Sequence, residues 1–240
     1  MPAAFVPSVL RRAWPLVLAA LAPPAFALAP EALLEAVHAP QDAIVKAWPG
    51  VEGRTLVAWT QAQGDLDNAA GEPVDLGLTV LVADTATGRV LQRYHDDAAY
   101  TSDAIAFQGI SLDTADYALR PGVRAFGVRS SGVHEGCGSL EQTDLRLFEV
   151  RGDQLVPVLA LPMSTHSAMC DCGGSSDMER TIEIGRGMHA GHADLLLHER
   201  RAEVDEGPSG GPCPTRRRRS ARTVVLRFDG ESYAVPDGLD

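Results

Sequence analysis

Along most of this chain, apolar residues recur at every second position. Leu145, Leu147 and Glu149 alternate with Arg146 and Phe148, the period of an extended strand whose successive side chains face opposite ways. Short apolar or β-branched runs bounded by Gly, Asp and Pro predict strands over 55–60, 76–83, 89–94, 104–112, 123–129, 144–150, 155–161, 180–184, 193–198, 222–228 and 232–235. Both faces of these runs are often apolar, as expected of packed sheets. Residues 30–47 depart from this pattern. Pro30, Glu31 and Glu35 suit a helix start, and Leu33, Leu34, Val37, Ile44 and Val45 form an apolar stripe. Pro40 is expected to divide it into two short helices, ended by Trp48-Pro49-Gly50. The fold class that follows is mainly β: an antiparallel β-sandwich or incomplete propeller-like repeats, with a short helical N-terminal segment.

Residues 78–94, 145–159 and 224–235 each read as an apolar strand, a turn rich in Asp and Gly, and a second apolar strand. Asp and Gly supply the local side-chain bonds and positive φ that tight hairpins need. The three stretches form either a loose repeat or three independent hairpins. Within residues 180–236, Gly191-His192-Ala193-Asp194-Leu195 is followed by Phe228-Asp229-Gly230-Glu231-Ser232-Tyr233. This pattern resembles the G-x-x-D-L and F-D-G-x-x-Y hairpins of FG-GAP-like β-propeller blades in uncharacterised exported bacterial proteins, with a weaker echo at 144–161. The resemblance implies a fold element and no activity. The acids of a calcium loop are missing from it, and Asp65-Leu66-Asp67-Asn68 is too sparse for a cation that takes six to eight oxygens.

The N-terminus changes the picture of where the chain resides. Arg11 and Arg12 precede an apolar run over 13–22, and Ala25-Phe26-Ala27 places small residues where a signal peptidase reads. Residues 1–27 are expected to be a signal peptide, leaving a mature chain from Leu28. Residues 28–50 are then the helical segment, and 51–240 a β domain. The apolar run is too short to span a bilayer and contains Pro15. No later segment predicts a membrane span. Periplasm or secretion is the expected location.

The chain carries a net charge of −11, and removal of the two arginines takes it to −13. Such an acidic surface disfavours nucleic acid and anionic lipid and steers basic partners towards it. Cys137, Cys170, Cys172 and Cys213 fit an oxidising compartment. Loop closure predicts that Cys213 bonds to Cys170 or Cys172 and that Cys137 takes the remaining partner. Residues 203–221 combine acids, Gly, Pro and the arginines of 216–219, and are expected to form a loop-like insert. The arginines would hold a phosphate or an acidic partner, or pair locally with Glu203, Asp205 and Glu206.

His166, Met169, Cys170, Cys172, His189 and His192 gather soft and borderline ligands and are the candidates for a copper or zinc site. Their spacing matches no closed metal motif. The disulfide reading consumes the thiols and leaves no cofactor. Gly207-Pro208-Ser209-Gly210-Gly211-Pro212 is superficially similar to a chymotrypsin-type nucleophile segment, but the histidine and buried acid of that family lack their sequence context. Asp96-Asp97 and Asp113/Asp116 are carboxylate pairs at turns, the only handle on a hydrolase of unknown type. No nucleophile elbow, phosphate loop or zinc-protease motif occurs. The reading that results is a non-enzymatic periplasmic binding or interaction protein, of inhibitor, immunity or envelope accessory type, with an unknown and basic protein partner. Metal handling is the alternative.

Overall fold

The computed structural model describes residues 27–66, 72–170, 173–206 and 215–239. Residues 1–26 of the expected signal peptide, Cys172, Cys213 and the segment 207–212 lie outside them. No helix among the described residues is long and apolar enough to cross a membrane.

Pro30 starts helix α1 (Pro30–Val37), and its last turn closes on His38, which takes a left-handed conformation with φ 56°. The second helix expected after Pro40 is replaced by a strand, β1 (Ile44–Ala47). Four residues with two β-branched members gain little as an isolated helical turn. As an edge strand they gain a full ladder, with Ile44 opposite Ala58 and Val45 opposite Val57. With β2 (Arg54–Ala62), β3 (Val74–Asp84) and β4 (Val90–Ser102), β1 forms a four-stranded antiparallel sheet in chain order.

A second antiparallel sheet follows as a seven-stranded meander. It comprises β5 (Ala106–Arg120), β6 (Val123–His134), β7 (Ser139–Arg151), β8 (Gln154–Ala168), β9 (Ser175–His189), β10 (His192–Glu206) and β11 (Thr215–Leu226). Two stacked sheets, rather than four-stranded blades, make this a β-sandwich. Residues 232–235 contribute one isolated bridge, Phe228 to Tyr233, instead of the expected strand. The expected insert is mostly strand: Glu203 lies opposite Arg218 and Val204 opposite Arg217 in the β10–β11 ladder. The opposite charges of Glu203 and Arg218 face each other across the two arms, a pairing that composition alone hid.

Three apolar clusters hold these layers. Leu33, Leu34 and Val37 of α1 cover Val57, Leu81 and Ala83 on the outer face of the small sheet. The opposite face buries Leu56, Leu78 and Val80 against Phe126 and Phe148 of the large sheet. The remaining face of the large sheet curls around Leu145, Leu147, Leu195, Leu197, Leu226 and Leu239. Each such side chain contributes about 1.5–3 kcal/mol when fully buried.

The β8–β9 ladder covers only residues 164–168 and 175–179. Pro157 and Pro162 sit beyond it, each beside a register shift against β7, where a missing N–H is tolerated. The C-terminal segment fills the gap: Tyr233 donates its backbone N–H to Val158 O at 2.8 Å, and Arg180 donates to the carbonyls of Pro162 and Leu239.

A disulfide joins Cys137 to Cys170, with Cα atoms 5.4 Å apart at a sequence separation of 33. Of the two connectivities expected, this is the one that leaves Cys172 for Cys213. The bond ties the β6–β7 turn to the β8–β9 loop. The double substitution Cys137→Ser, Cys170→Ser is expected to cost about 3–4 kcal/mol on the chain-entropy account. Urea unfolding with a lower midpoint, and a slope that rises as the unfolded chain loses its cross-link, is the expected result. A midpoint identical to that of the oxidised protein would remove the disulfide from the list of stabilising elements.

Candidate functional site

Past the core, β7 to β11 continue together as an open ladder, a wing. Register carries one row of side chains through Gln142, Thr165, Met178, Arg201 and Ser220. The next row, on the opposite face, runs through Glu141, His166, Asp177, Ala202 and Arg219. None of the three core clusters contains a residue of these rows. A groove of about 760 Å³ runs here, lined by Thr143, Ser164, His166, Asp177, Arg200 and Arg219 among others. Its hydroxyls, acids and arginines offer donors and acceptors of both charge signs.

His166 Nδ1 pairs with Asp177 Oδ1, and both side chains are about half exposed. That hydrogen bond raises the imidazole pKa above its ordinary value, outweighing the small opposing effect of burial. The protonated form is therefore the one the groove favours.

At the base of the wing sits a charge cluster. Glu199 is buried and accepts hydrogen bonds from Arg180 Nε at 2.9 Å, Arg201 Nε at 2.8 Å and Arg222 Nε at 2.7 Å. Burial alone would raise its pKa, but these three guanidinium groups outweigh that and hold it at about 2. Three arginines against one carboxylate leave a local positive surplus on an otherwise acidic protein.

The six metal candidates fall into two groups. His166 is on the wing, and Met169 beside it is exposed. Cys170 is consumed by its disulfide, and Cys172 lies outside the described residues. His189 and His192 sit at the other end of β9 and β10, 12 residues along the strand from Asp177, or roughly 35–40 Å. The sequence cluster is therefore not one spatial cluster. Among the described residues, no three His, Cys, Asp or Glu side chains are arranged to hold a metal ion.

His189 Nδ1 instead pairs with Asp194 Oδ1 at 2.5 Å. His192 Nε2 contacts Glu149 Oε2 at 2.9 Å, and its ring stacks on Phe228 with centroids 3.8 Å apart. Tyr233 donates its hydroxyl to Ala193 O. Glu149 also accepts from Arg120 and Arg151, and its pKa falls below the usual carboxylate range although burial opposes this. These contacts dock the C-terminal segment. Even spacing put His192 and His198 on one face, yet His192 is buried while His198 is part-exposed, bonded to Glu183 and Thr223. Residues 185–187 of β9 face a shortened stretch of β10, and that irregularity separates the two environments.

The carboxylate pairs have structural partners. Asp96 holds Tyr94 and Arg146, Asp97 pairs with His95, Asp113 with Tyr117 and Arg129, and Asp116 with Arg124. Sequence reasoning missed Arg180, Glu199 and Asp144. A signal for Glu199 was present, because Leu195, Leu197 and Glu199 share the alternation seen in Leu145, Leu147 and Glu149. A charge in phase with core leucines requires a buried counter-charge. Set against known protein families, characterised proteins and solved structures, the chain matches none of them.

Proposed function

We propose that this is a non-enzymatic binding protein of the periplasm or the cell exterior that engages a protein partner through the open wing. The observation that carries this reading is the groove of about 760 Å³ on a ladder whose rows belong to none of the three core clusters. A wide, solvent-open channel with both charge signs suits an extended or surface-presented partner better than an enclosed substrate. Its size lies within the range of ligand sites. The disulfide Cys137–Cys170 and the lack of a membrane-crossing helix among the described residues are compatible with that location. The acidic balance of the chain speeds encounter with a basic surface.

The test is site-specific photocrosslinking of the mature chain in envelope extract. A crosslinking residue in place of Thr165 or Arg219 should capture one discrete protein, and one in place of Glu35 on α1 should not. Reversing the acidic charges of the groove with Glu141→Lys and Glu179→Lys, both exposed, should abolish capture of a basic partner without changing the unfolding temperature. Capture from Glu35 alone, or none from either wing position, removes the wing as the binding surface.

A further inference from the structure

At the junction of the two sheets lies a smaller cavity of about 290 Å³, lined by Tyr100, Asp103, Phe107, Ser130, Gln142 and Asp144 with neighbouring residues. Its Asp144 carboxylate differs from the arginine-matched ones described above. Asp144 is half-buried on β7 and, among the described residues, is paired with no hydrogen-bond donor or cation, whereas Glu149, Glu199, Asp96 and Asp113 are each matched by arginine. Burial alone raises its pKa, with nothing opposing it. A carboxylate withdrawn from water without a counter-charge is costly, and such a cost persists in native proteins mainly where a function uses it.

The neighbours define what the cavity is built to take. Tyr100 and Phe107 stack with ring centroids 5.2 Å apart. The Tyr100 hydroxyl is buried without a hydrogen bond of normal geometry, although the Ser130 side chain lies close enough to offset part of the rise that burial causes in its pKa. The guanidinium of Arg146 rests 5.7 Å from the Tyr100 ring centre, a cation–π contact at the edge of this aromatic pair. Arg146 does not serve Asp144, because Asp96 and Tyr94 hold it at 3.2 Å and 3.1 Å. Two carboxylates line the cavity, Asp103, which accepts the backbone N–H of Ile105 at 2.9 Å, and Asp144; beside two aromatic rings they fall short of the six to eight oxygens of a calcium site and suit an organic cation.

We propose that this cavity binds an alkylguanidinium or alkylammonium head, with Asp144 as counter-ion, the Tyr100–Phe107 pair as the aromatic wall and Ser130 and Gln142 as hydrogen-bonding rim. The volume sits at the small end of ligand pockets, which fits a single cationic head rather than a large molecule. The head can come from a free amine or from an Arg or Lys side chain of a partner. The site is independent of whether the wing is the docking surface, though Gln142 lines both hollows.

The experiment is a titration of the mature protein with agmatine and, separately, with a blocked Gly-Arg-Gly peptide, read by calorimetry and by NMR shifts of the Tyr100 and Phe107 rings. Saturable binding with Kd on the order of 1 mM or tighter is expected. Asp144→Asn should weaken it at least about tenfold, while its ligand-free unfolding temperature stays level or rises, since an unpaired buried charge has been removed. Tyr100→Phe keeps the ring, removes the hydroxyl, and should weaken binding about threefold. Tighter binding of the peptide assigns the head to a protein side chain, and tighter binding of agmatine to a free amine. No saturable binding of either probe, or binding that Asp144→Asn and Tyr100→Phe leave unchanged, overturns the proposal.

Discussion

Glu199→Gln is expected to destabilise the protein by about 3–5 kcal/mol, the cost of stranding a buried charge. The side chain of Arg180 is only 2 % exposed and cannot turn to water when its carboxylate partner is neutralised. It would also loosen its hold on Pro162 and Leu239, and with it the C-terminal segment in the β8–β9 gap. Arg201→Ala and Arg222→Ala should each cost far less, because those side chains are 41 % and 50 % exposed and leave Glu199 with two arginines. For a domain of this size each kcal/mol moves the melting temperature by about 2–4 °C, so Glu199→Gln should lower it by roughly 10 °C. The pH dependence has a defined sign. The folded pKa of Glu199, about 2, lies below its ordinary value of 4.5. Its contribution is therefore complete above pH 4.5 and is lost as pH falls through 2. Wild type should lose stability over that window more steeply than Glu199→Gln, measured by urea unfolding from pH 6 downwards. Parallel curves for the two proteins would show that the cluster is not the acid-sensitive element.

Phe148→Ala tests the other joint, between the sheets. Phe148 is fully buried and meets the Tyr94 ring edge-on at 4.9 Å and the Phe126 ring at 5.8 Å. Trp48 continues the stack onto Phe126 at 5.0 Å. Removing the central ring leaves a cavity that rigid strands on both sides cannot close, at an expected cost of about 3–5 kcal/mol. The aromatic near-ultraviolet circular dichroism should fall while the far-ultraviolet β signal persists. Val225→Ala on the exposed face of β11 is the control and should stay within about 0.5 kcal/mol. Equal effects at the two positions would mean that this aromatic stack does not join the layers.

The division between what the chain states locally and what only folding reveals is clear from particular residues. Alternation and turn chemistry marked the cores of β2, β3, β6, β7 and β8, because a half-buried strand writes its period directly into neighbouring residues. Pro40 likewise marked the end of the first helix, which stops at Val37. The sequence was silent wherever the deciding partner lay far along the chain. Ile44 and Val45 became a strand because β2 offered a ladder. The arms at 203–206 and 215–221 became strands by pairing with each other in a ladder that sets Glu203 opposite Arg218.

By itself, then, the sequence determined the mainly β class, the positions of most strands and the chemical character of each residue. Tertiary structure decided that the strands form sheets of four and seven. It decided that His189 and His192 lie far from His166 and Cys170, and that Glu199 acquires Arg180 while Asp144 acquires no partner among the described residues. The physical reason is range. Backbone propensity and alternation act between adjacent residues, whereas register, burial and charge pairing depend on which distant strands meet.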